Sequence, residues 1–469
     1  VMVFNSVIFI FCFLPIFLLI YYFVPARARN PVLFAGSLFF YAWGEPVYVV
    51  LMIFSIIFNY LMGLDIEERR KIGKQSAKRS LIFTIAVDIG LLGFFKYYGF
   101  FTENLNQILP FDLPSVDVTL PVGISFYTFQ TLSYVIDVYR GETKVQRNLI
   151  SFGCYVTMFP QLIAGPIVQY KDIDDQLKNR RLSVSQTGEG AVQFIRGLTK
   201  KVIFANNIGA VFTAITAQDI ADMSVLSAWM ACIAYTFQIY FDFGGYSDMA
   251  IGLGKMLGFQ FKPNFDHPYI STSITEFWRR WHISLGTWFR DYIYIPLGGS
   301  YVTPAKHIRN MFVVWLFTGL WHGAAWNFAF WGLYYGVLLT LEKYFLLKYL
   351  EKSPKFLQHL YTMGIVMIGW VFFSSPSLGN AASLLGVMFG FGAHPLADDV
   401  GLYYLTSNLL LIGIMILTCG PALHNLLDRL ISMSKSPKAT AFVCYTLMFV
   451  LCIAFLVNET YNPFLYFRF

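Results

Sequence analysis

Charge is scarce in this chain. Of 469 residues only 13% are charged, about half the share of a soluble globular protein, which excludes a water-soluble fold. Polar low-complexity tracts and collagen-like repeats are absent, so disorder and fibrous structure are excluded. Cysteine is sparse too. The six (Cys12, Cys154, Cys232, Cys419, Cys444, Cys452) lie scattered in apolar stretches without a C-x-x-C pair, so neither a disulfide framework nor a metal cluster is indicated. There is no Walker loop, no H-E-x-x-H and no G-x-S-x-G, which removes the usual phosphate-loop, metalloprotease and serine-hydrolase readings. Gly252-Leu-Gly254 follows an apolar span rather than a strand, so a dinucleotide site has no support. Thirty-four Lys and Arg against 27 Asp and Glu leave a net charge of +7. These bases are dispersed over several loops, which argues against nucleic acid as a partner.

What the chain has in excess is apolar surface: 57% hydrophobic residues, with 48 Phe, 29 Tyr and 10 Trp. Many segments are apolar all round, so the bilayer is the main solvent. Runs long enough to cross about 30 Å of hydrocarbon lie near 4–24, 46–64, 80–101, 118–137, 224–243, 361–392, 403–423 and 439–457. Shorter or interrupted runs lie near 32–43, 148–169, 202–217 and 310–341. Residues 4–24 lack the basic region and cleavage site of a secretory signal and read as a retained first span.

Loop charge orients the spans. Segment 65–79 carries six basic residues, whereas 102–117 carries none and has Glu103, Asp112 and Asp117, so the first is cytoplasmic and the second outside. By the same rule 140–147, 171–201, 255–309, 343–355 and 429–438 are inside, and 218–223 and 393–402 are outside. Segments 148–169 and 310–341 are each flanked by inside loops, so neither crosses once. Each is expected to dip and return, broken at Phe159-Pro160 and Gly165-Pro166 in one and at Trp321-His322-Gly323 in the other, with protein or a water-filled cavity covering the freed backbone. The expected fold is an all-α polytopic integral membrane protein. It has roughly ten to eleven transmembrane helices, plus re-entrant and interfacial helices around a central tunnel, in one domain over 1–469.

In 276–299, Trp278, Trp281, Leu285, Trp288 and Tyr292 step by three and four and Phe289 joins them, so they share one helical face. Arg279, Arg280, Arg290 and Asp291 take the other. An interfacial helix with its aromatic face in lipid and its arginines toward phosphates accounts for this pattern. It does not account for His282, which falls within the aromatic face and needs a partner there. On this segment alone a satisfied core histidine is the more common explanation.

Segment 312–332 has a single titratable side chain, His322. If the segment is helical, Trp315, Thr318, Gly319, Ala325 and Trp326 share the face of His322, the small residues leaving room for a substrate and the tryptophans walling a groove. Gly319 and Gly323 form a G-x-x-x-G that serves close helix packing. Packing needs the glycines but not the histidine, and a lone titratable group in an apolar run is a functional candidate. Upstream, Phe241-Asp242-Phe243-Gly244-Gly245-Tyr246-Ser247-Asp248 reads as a glycine-broken junction, where Asp242 or Asp248 is available to orient a histidine. Asn264 and His267 lie in the following inside loop, Lys262-Pro-Asn-Phe-Asp-His-Pro-Tyr269.

Trp278-Arg-Arg-Trp-His282-Ile-Ser-Leu, Leu320-Trp-His322-Gly, Phe159-Pro-Gln-Leu-Ile-Ala-Gly-Pro166 and Phe241-Asp-Phe-Gly-Gly-Tyr-Ser-Asp248 together resemble the signature of the membrane-bound O-acyltransferase family. Phe40-Tyr-Ala-Trp-Gly-Glu-Pro46 and Asn462-Pro-Phe-Leu-Tyr-Phe-Arg-Phe469 are similar to its bacterial alginate O-acetylation branch. The resemblance implies an enzyme of the bacterial cytoplasmic membrane that takes an acyl group, acetyl in this branch, from a cytosolic thioester. The donor is acetyl-coenzyme A or an acyl carrier thioester, and no cofactor or metal is bound. The group then crosses the membrane to an extracytoplasmic acetyltransferase partner that modifies a polysaccharide. His322 corresponds to the invariant family histidine and His282 to the second. Trp321, Trp315, Trp326, Asp242, Asp248, Arg279, Arg280 and Asn264 are the candidate tunnel or supporting residues. Competing readings are D-alanyl transfer to teichoic acid, a transporter or flippase, and a non-catalytic scaffold of a polymer-export complex.

Overall fold

The structure is a computed structural model, and it describes all residues except 1, 115, 117, 164, 459–463 and 466–469. Asp117, Ala164 and most of the 462–469 motif therefore lie outside the described residues. Every regular element among the described residues is helical. The chain is an all-α polytopic membrane protein, and it divides into two compact units, residues 1–194 with 248–262 and residues 195–247 with 263–469.

In the first unit, α1 (Val49–Ile72) and α2 (Lys74–Asn106) are both long and apolar enough to span a membrane. Asn59 of α1 donates to Asp88 of α2 at 3.0 Å, both side chains being buried. Helix α3 (Ile124–Arg140) starts and ends at left-handed glycines, Gly123 and Gly141. The expected span over 118–137 thus begins at residue 124, where Gly123 supplies the turn. Segment 148–169 is broken as expected. Leu149–Thr157 is helical, capped by Asn148 onto Ser151 N at 2.9 Å, and the chain bends at Met158 before the short helix Phe159–Leu162. The bend is covered by protein: Tyr155 Oη lies 3.1 Å from the Gln130 carbonyl and 3.0 Å from that of Val168, and Gln161 Nε2 donates to the Tyr155 carbonyl at 2.6 Å.

In the second unit, helix Val225–Met256 (residues 225–247 belong to this unit) runs unbroken through Gly244-Gly245. The expected junction there is absent, because the glycines serve packing: a Cβ on Gly245 would lie 2.7 Å from the Gly197 carbonyl and 3.0 Å from Lys201 N. Downstream come α4 (Ile274–Arg280), α5 (Ile283–Phe289), α6 (Pro304–His322), α7 (Trp326–Leu341), α8 (Lys355–Ser374), α9 (Asp399–Cys419) and α10 (Pro437–Asn458). Of these α8, α9 and α10 are long and apolar enough to span. The expected 361–392 run is two helices, since Pro376 cannot donate a helix hydrogen bond and Ser377 caps the second, Leu378–Met388, through Asn380 N at 3.1 Å.

Candidate functional site

The site grows from two helix interruptions: one lies inside the segment that the periodicity of 276–292 reads as a continuous helix, and the other is the expected break at Trp321-His322-Gly323. The first lies between α4 and α5. Helix α4 is nucleated by Ser273, whose Oγ accepts from Glu276 N at 3.0 Å, and by the buried carboxylate of Glu342, which accepts from Ile274 N and Thr275 N at 2.8 Å each. These bonds satisfy donors that a helix start leaves orphaned. The helix stops at Arg280 because strand-like pairing takes over: Asp266 N donates to the Arg280 carbonyl and Ile283 N to the Asn264 carbonyl, both at 2.9 Å. Trp281 is extended and His282 is left-handed, with φ 47°. That conformation costs a non-glycine residue on the order of 1–3 kcal/mol and persists only where the surroundings impose it. Broken here, the aromatic stripe does not face lipid. Trp281, Leu285, Trp288, Phe289 and Tyr292 are buried within the protein.

The second interruption follows His322, the last residue of α6. Residues 323–325 are not helical, Gly323 and Ala325 being extended, and α7 begins at Trp326. Helices α6 and α7 pack backbone to backbone: a Cβ on Gly319 would stand 2.2 Å from the Phe328 carbonyl and 3.1 Å from Gly332 Cα, and one on Gly323 would collide with the Phe328 ring. The G-x-x-x-G is therefore a packing device, as one of the two readings has it, and it also turns His322 inward. The single helical face proposed for 312–332 ends at the break. Trp315, Thr318 and His322 stay on it, but Trp326, at 61% exposure, does not wall the groove.

Both histidines line one cavity of about 420 Å³. Helix α6 contributes His307, Met311, Trp315, Thr318 and His322, and α5 with its continuation contributes Leu285, Gly286, Phe289, Arg290 and Tyr294. The two run in opposite senses along it. At one end the Trp321 ring contacts both imidazoles, with centroids 5.9 Å from His282 and 5.0 Å from His322. At the other, His307 lies 2.9 Å from Tyr294 Oη and from Tyr344 Oη and 3.1 Å from Lys343 Nζ. From His307 to His322 the helical rise is about 22 Å, so the cavity is long and narrow. No acidic side chain is among its lining residues, while Arg279, Arg290 and Lys343 are. All three are exposed, whereas His282 and His322 are 2% and 3% exposed.

His322 is boxed by aromatic edges, with the Trp331 and Phe373 rings each 5.2 Å away and near perpendicular. His282 packs against Phe243 at 4.7 Å, and its Nδ1 lies 3.1 Å from Asn264 Oδ1. Neither α4 nor α5 is a candidate span, and burial pushes the His282 imidazole down to about 3, so it is neutral. At the mouth, burial and then the Lys343 charge lower His307, and Asp291, 2.8 Å away, raises Arg290.

Of the remaining sequence candidates, Asn264 sits against His282 and Arg279 on the cavity wall. Among the described residues Arg279 has no ion pair. Arg280 does not line the cavity: it bonds Glu276 at 3.0 Å and Asp266 at 3.3 Å and braces the α4 terminus. Asp242 is paired with buried Lys201 and accepts from Leu465 N at 2.9 Å, which occupies the carboxylate offered to a histidine. Asp248 belongs to the first unit, where Gln193 reaches it at 3.5 Å. Sequence reasoning missed His307 and Lys343. The signal for His307 was present, since 307, 311, 315, 318 and 322 step by four, four, three and four along the face of His322.

The model of the membrane-bound O-acyltransferase family matches residues 142–385. A probable alginate O-acetylase of Azotobacter vinelandii is 45% identical over 401 residues, covering 85% of this chain and 80% of that protein. One of Pseudomonas putida is 40% identical over 492 aligned positions, covering the whole of both. A peptidoglycan O-acetyltransferase of Helicobacter pylori is 36% identical over 426, covering 83% of this chain and 80% of that protein.

Proposed function

The chain belongs to the membrane-bound O-acyltransferase family and is an O-acyltransferase, and on that premise we propose that it takes an acetyl group from a cytosolic thioester and passes it across the bacterial cytoplasmic membrane for O-acetylation of an extracytoplasmic polysaccharide. The observation that carries this reading is the cavity: long and narrow, lined by the exposed basic side chains of Arg279, Arg290 and Lys343, with His282 and His322 buried together at one end. A slender thioester arm with an anionic head suits that shape, and acetyl-coenzyme A and an acyl carrier thioester share that chemistry. The relatives that acetylate alginate and peptidoglycan support an acetyl donor and a polysaccharide acceptor. An extracytoplasmic acetyltransferase is the proposed partner that receives the group.

A thioester is already activated, so the site's work is alignment and proton transfer. His322 takes the proton of the acceptor hydroxyl as its oxygen bonds to the thioester carbonyl carbon. The carbon–sulfur bond then breaks, and the departing thiolate recovers the proton from the imidazole. Neutral His282, beside the Trp321 ring that both histidines share, supplies a second hydrogen-bonding group. The aromatic rings around His322 exclude water, which would otherwise compete for the thioester.

The test is acyl transfer by the purified protein in vesicles, with labelled acetyl-coenzyme A supplied at the face bearing the basic loops and the acceptor protein present. His322→Ala is expected to abolish transfer with melting and donor binding retained, and His282→Ala to lower kcat at least tenfold. Undiminished transfer by His322→Ala would remove that residue from the mechanism. Flux of intact donor without covalent transfer would favour a transporter.

A further inference from the structure

We propose that Asn264 is a positioning residue that locks His282 in a single tautomer, with the proton on Nδ1 and the basic lone pair on Nε2. The inference rests on the acyltransferase reading for its kinetic consequence but not for its geometry.

Asn264 is 1% exposed, and one of its atoms, Oδ1, meets three groups: Ser284 N at 3.2 Å, Ser284 Oγ at 2.9 Å and His282 Nδ1 at 3.1 Å. Ordinarily the two ends of an asparagine amide are interchangeable, and a histidine tautomer is then a matter of choice. Here the choice is removed. A backbone N–H can only donate, so the amide atom facing Ser284 N must be the oxygen. An oxygen has no proton to give to Nδ1, so the imidazole must carry a proton there and donate it. In a neutral ring that places the remaining lone pair on Nε2. The backbone holds the arrangement, because Ile283 N bonds the Asn264 carbonyl at 2.9 Å and His282 itself is left-handed at φ 47°. One short segment thus caps α5, bends the chain at the histidine and sets which nitrogen is basic.

The consequence is a division of labour between the histidines: His282 offers an acceptor to a substrate O–H or N–H without first having to lose a proton. The charged and titratable groups on the surrounding elements are Glu276, Arg279 and Arg280 of α4, Asp266 beside Asn264, His322 of α6, and Asp242 with its partner Lys201 on the helix side that carries Phe243. Two of the nearest charges are already matched, since Arg280 bonds Glu276 and Asp266 and Lys201 pairs with Asp242.

The experiment pairs Asn264→Asp with Asn264→Leu in the full-length protein. Aspartate keeps the cap on Ser284 and accepts from Nδ1–H, but sets a negative charge beside the ring. The acidic limb of the kcat profile is expected to move to higher pH by about one to three units with melting unchanged. Leucine removes the acceptor, and kcat is expected to fall at least tenfold while KM for acetyl-coenzyme A holds. A merely structural role predicts an unmoved limb, which would overturn the proposal. Should the leucine variant misfold, nitrogen-15 NMR of labelled histidine in the wild type decides separately: a protonated Nδ1 at neutral pH is required, and a protonated Nε2 refutes the lock. Absence of acetyl transfer by wild-type protein would instead defeat the functional reading and leave the tautomer result standing.

Discussion

Neighbouring arginines with the same sequence context have opposite roles. Arg279 is exposed on the cavity wall without an ion pair among the described residues, whereas Arg280 is spent on Glu276 and Asp266. Arg279→Gln is expected to raise KM for acetyl-coenzyme A severalfold and leave the melting temperature in place, since an unpaired surface charge contributes little to stability. Arg280→Gln should do the reverse, lowering the melting temperature and disturbing kcat through the bend at His282. Steady-state kinetics with a thermal melt of each variant checks both. Helical phase alone puts both arginines on the polar side, and nothing in a single sequence says which one finds carboxylates. His322 was legible, being the lone titratable side chain of its apolar run. His282 was legible only as an anomaly in an aromatic stripe, because its partner Asn264 lies eighteen residues away across a turn.

At the scale of elements, the periodicity of 276–292 identified helical segments correctly but carried them through the break at Arg280, whereas loop charge and Gly323 already marked the break at Trp321-His322-Gly323. A helix in isolation has no reason to stop at Arg280, whereas Gly323 directly after His322 favours a stop there. The stop at Arg280 comes from outside, from the 264–266 segment that captures the backbone at 280–283, and α7 presses on Gly319 and Gly323. Gly319→Ala places a methyl group 2.2 Å from the Phe328 carbonyl, and overpacking of this kind costs about 1–3 kcal/mol or more. The variant is expected to melt earlier and to lose acyl transfer together with stability. Gly364→Ala in α8, where an added Cβ meets nothing within 4 Å, should be silent in both measurements. The same tertiary control explains Trp326: once the chain is extended at 323–325, the phase that placed this ring beside His322 no longer applies.

For the whole molecule, the inside and outside assignments follow from loop charge, and they make a labelling prediction within the second unit. Tyr301, 99% exposed in the 295–303 loop, and Leu396, 81% exposed in the 393–402 loop, should react from opposite faces of oriented vesicles. The test uses each as a cysteine substitution in a background lacking the six native cysteines, with an impermeant thiol reagent added to one side. Labelling of both from the same side would require the topology to be redrawn. Composition and periodicity were sufficient for the solvent, the helical class and His322 as a candidate, because hydrophobic burial in a bilayer is written into every span and a lone titratable group in an apolar run stands out. They were insufficient for the cavity. His282 and His322, forty residues apart, meet one Trp321 ring because two helices break at specific places, the first where the 264–266 segment pairs with the backbone at 280–283 and the second where α7 folds back onto Gly319 and Gly323. Which nitrogen is basic, which arginine lacks an ion pair among the described residues and which tryptophan faces the site are all consequences of those contacts, so the tertiary structure alone decided them.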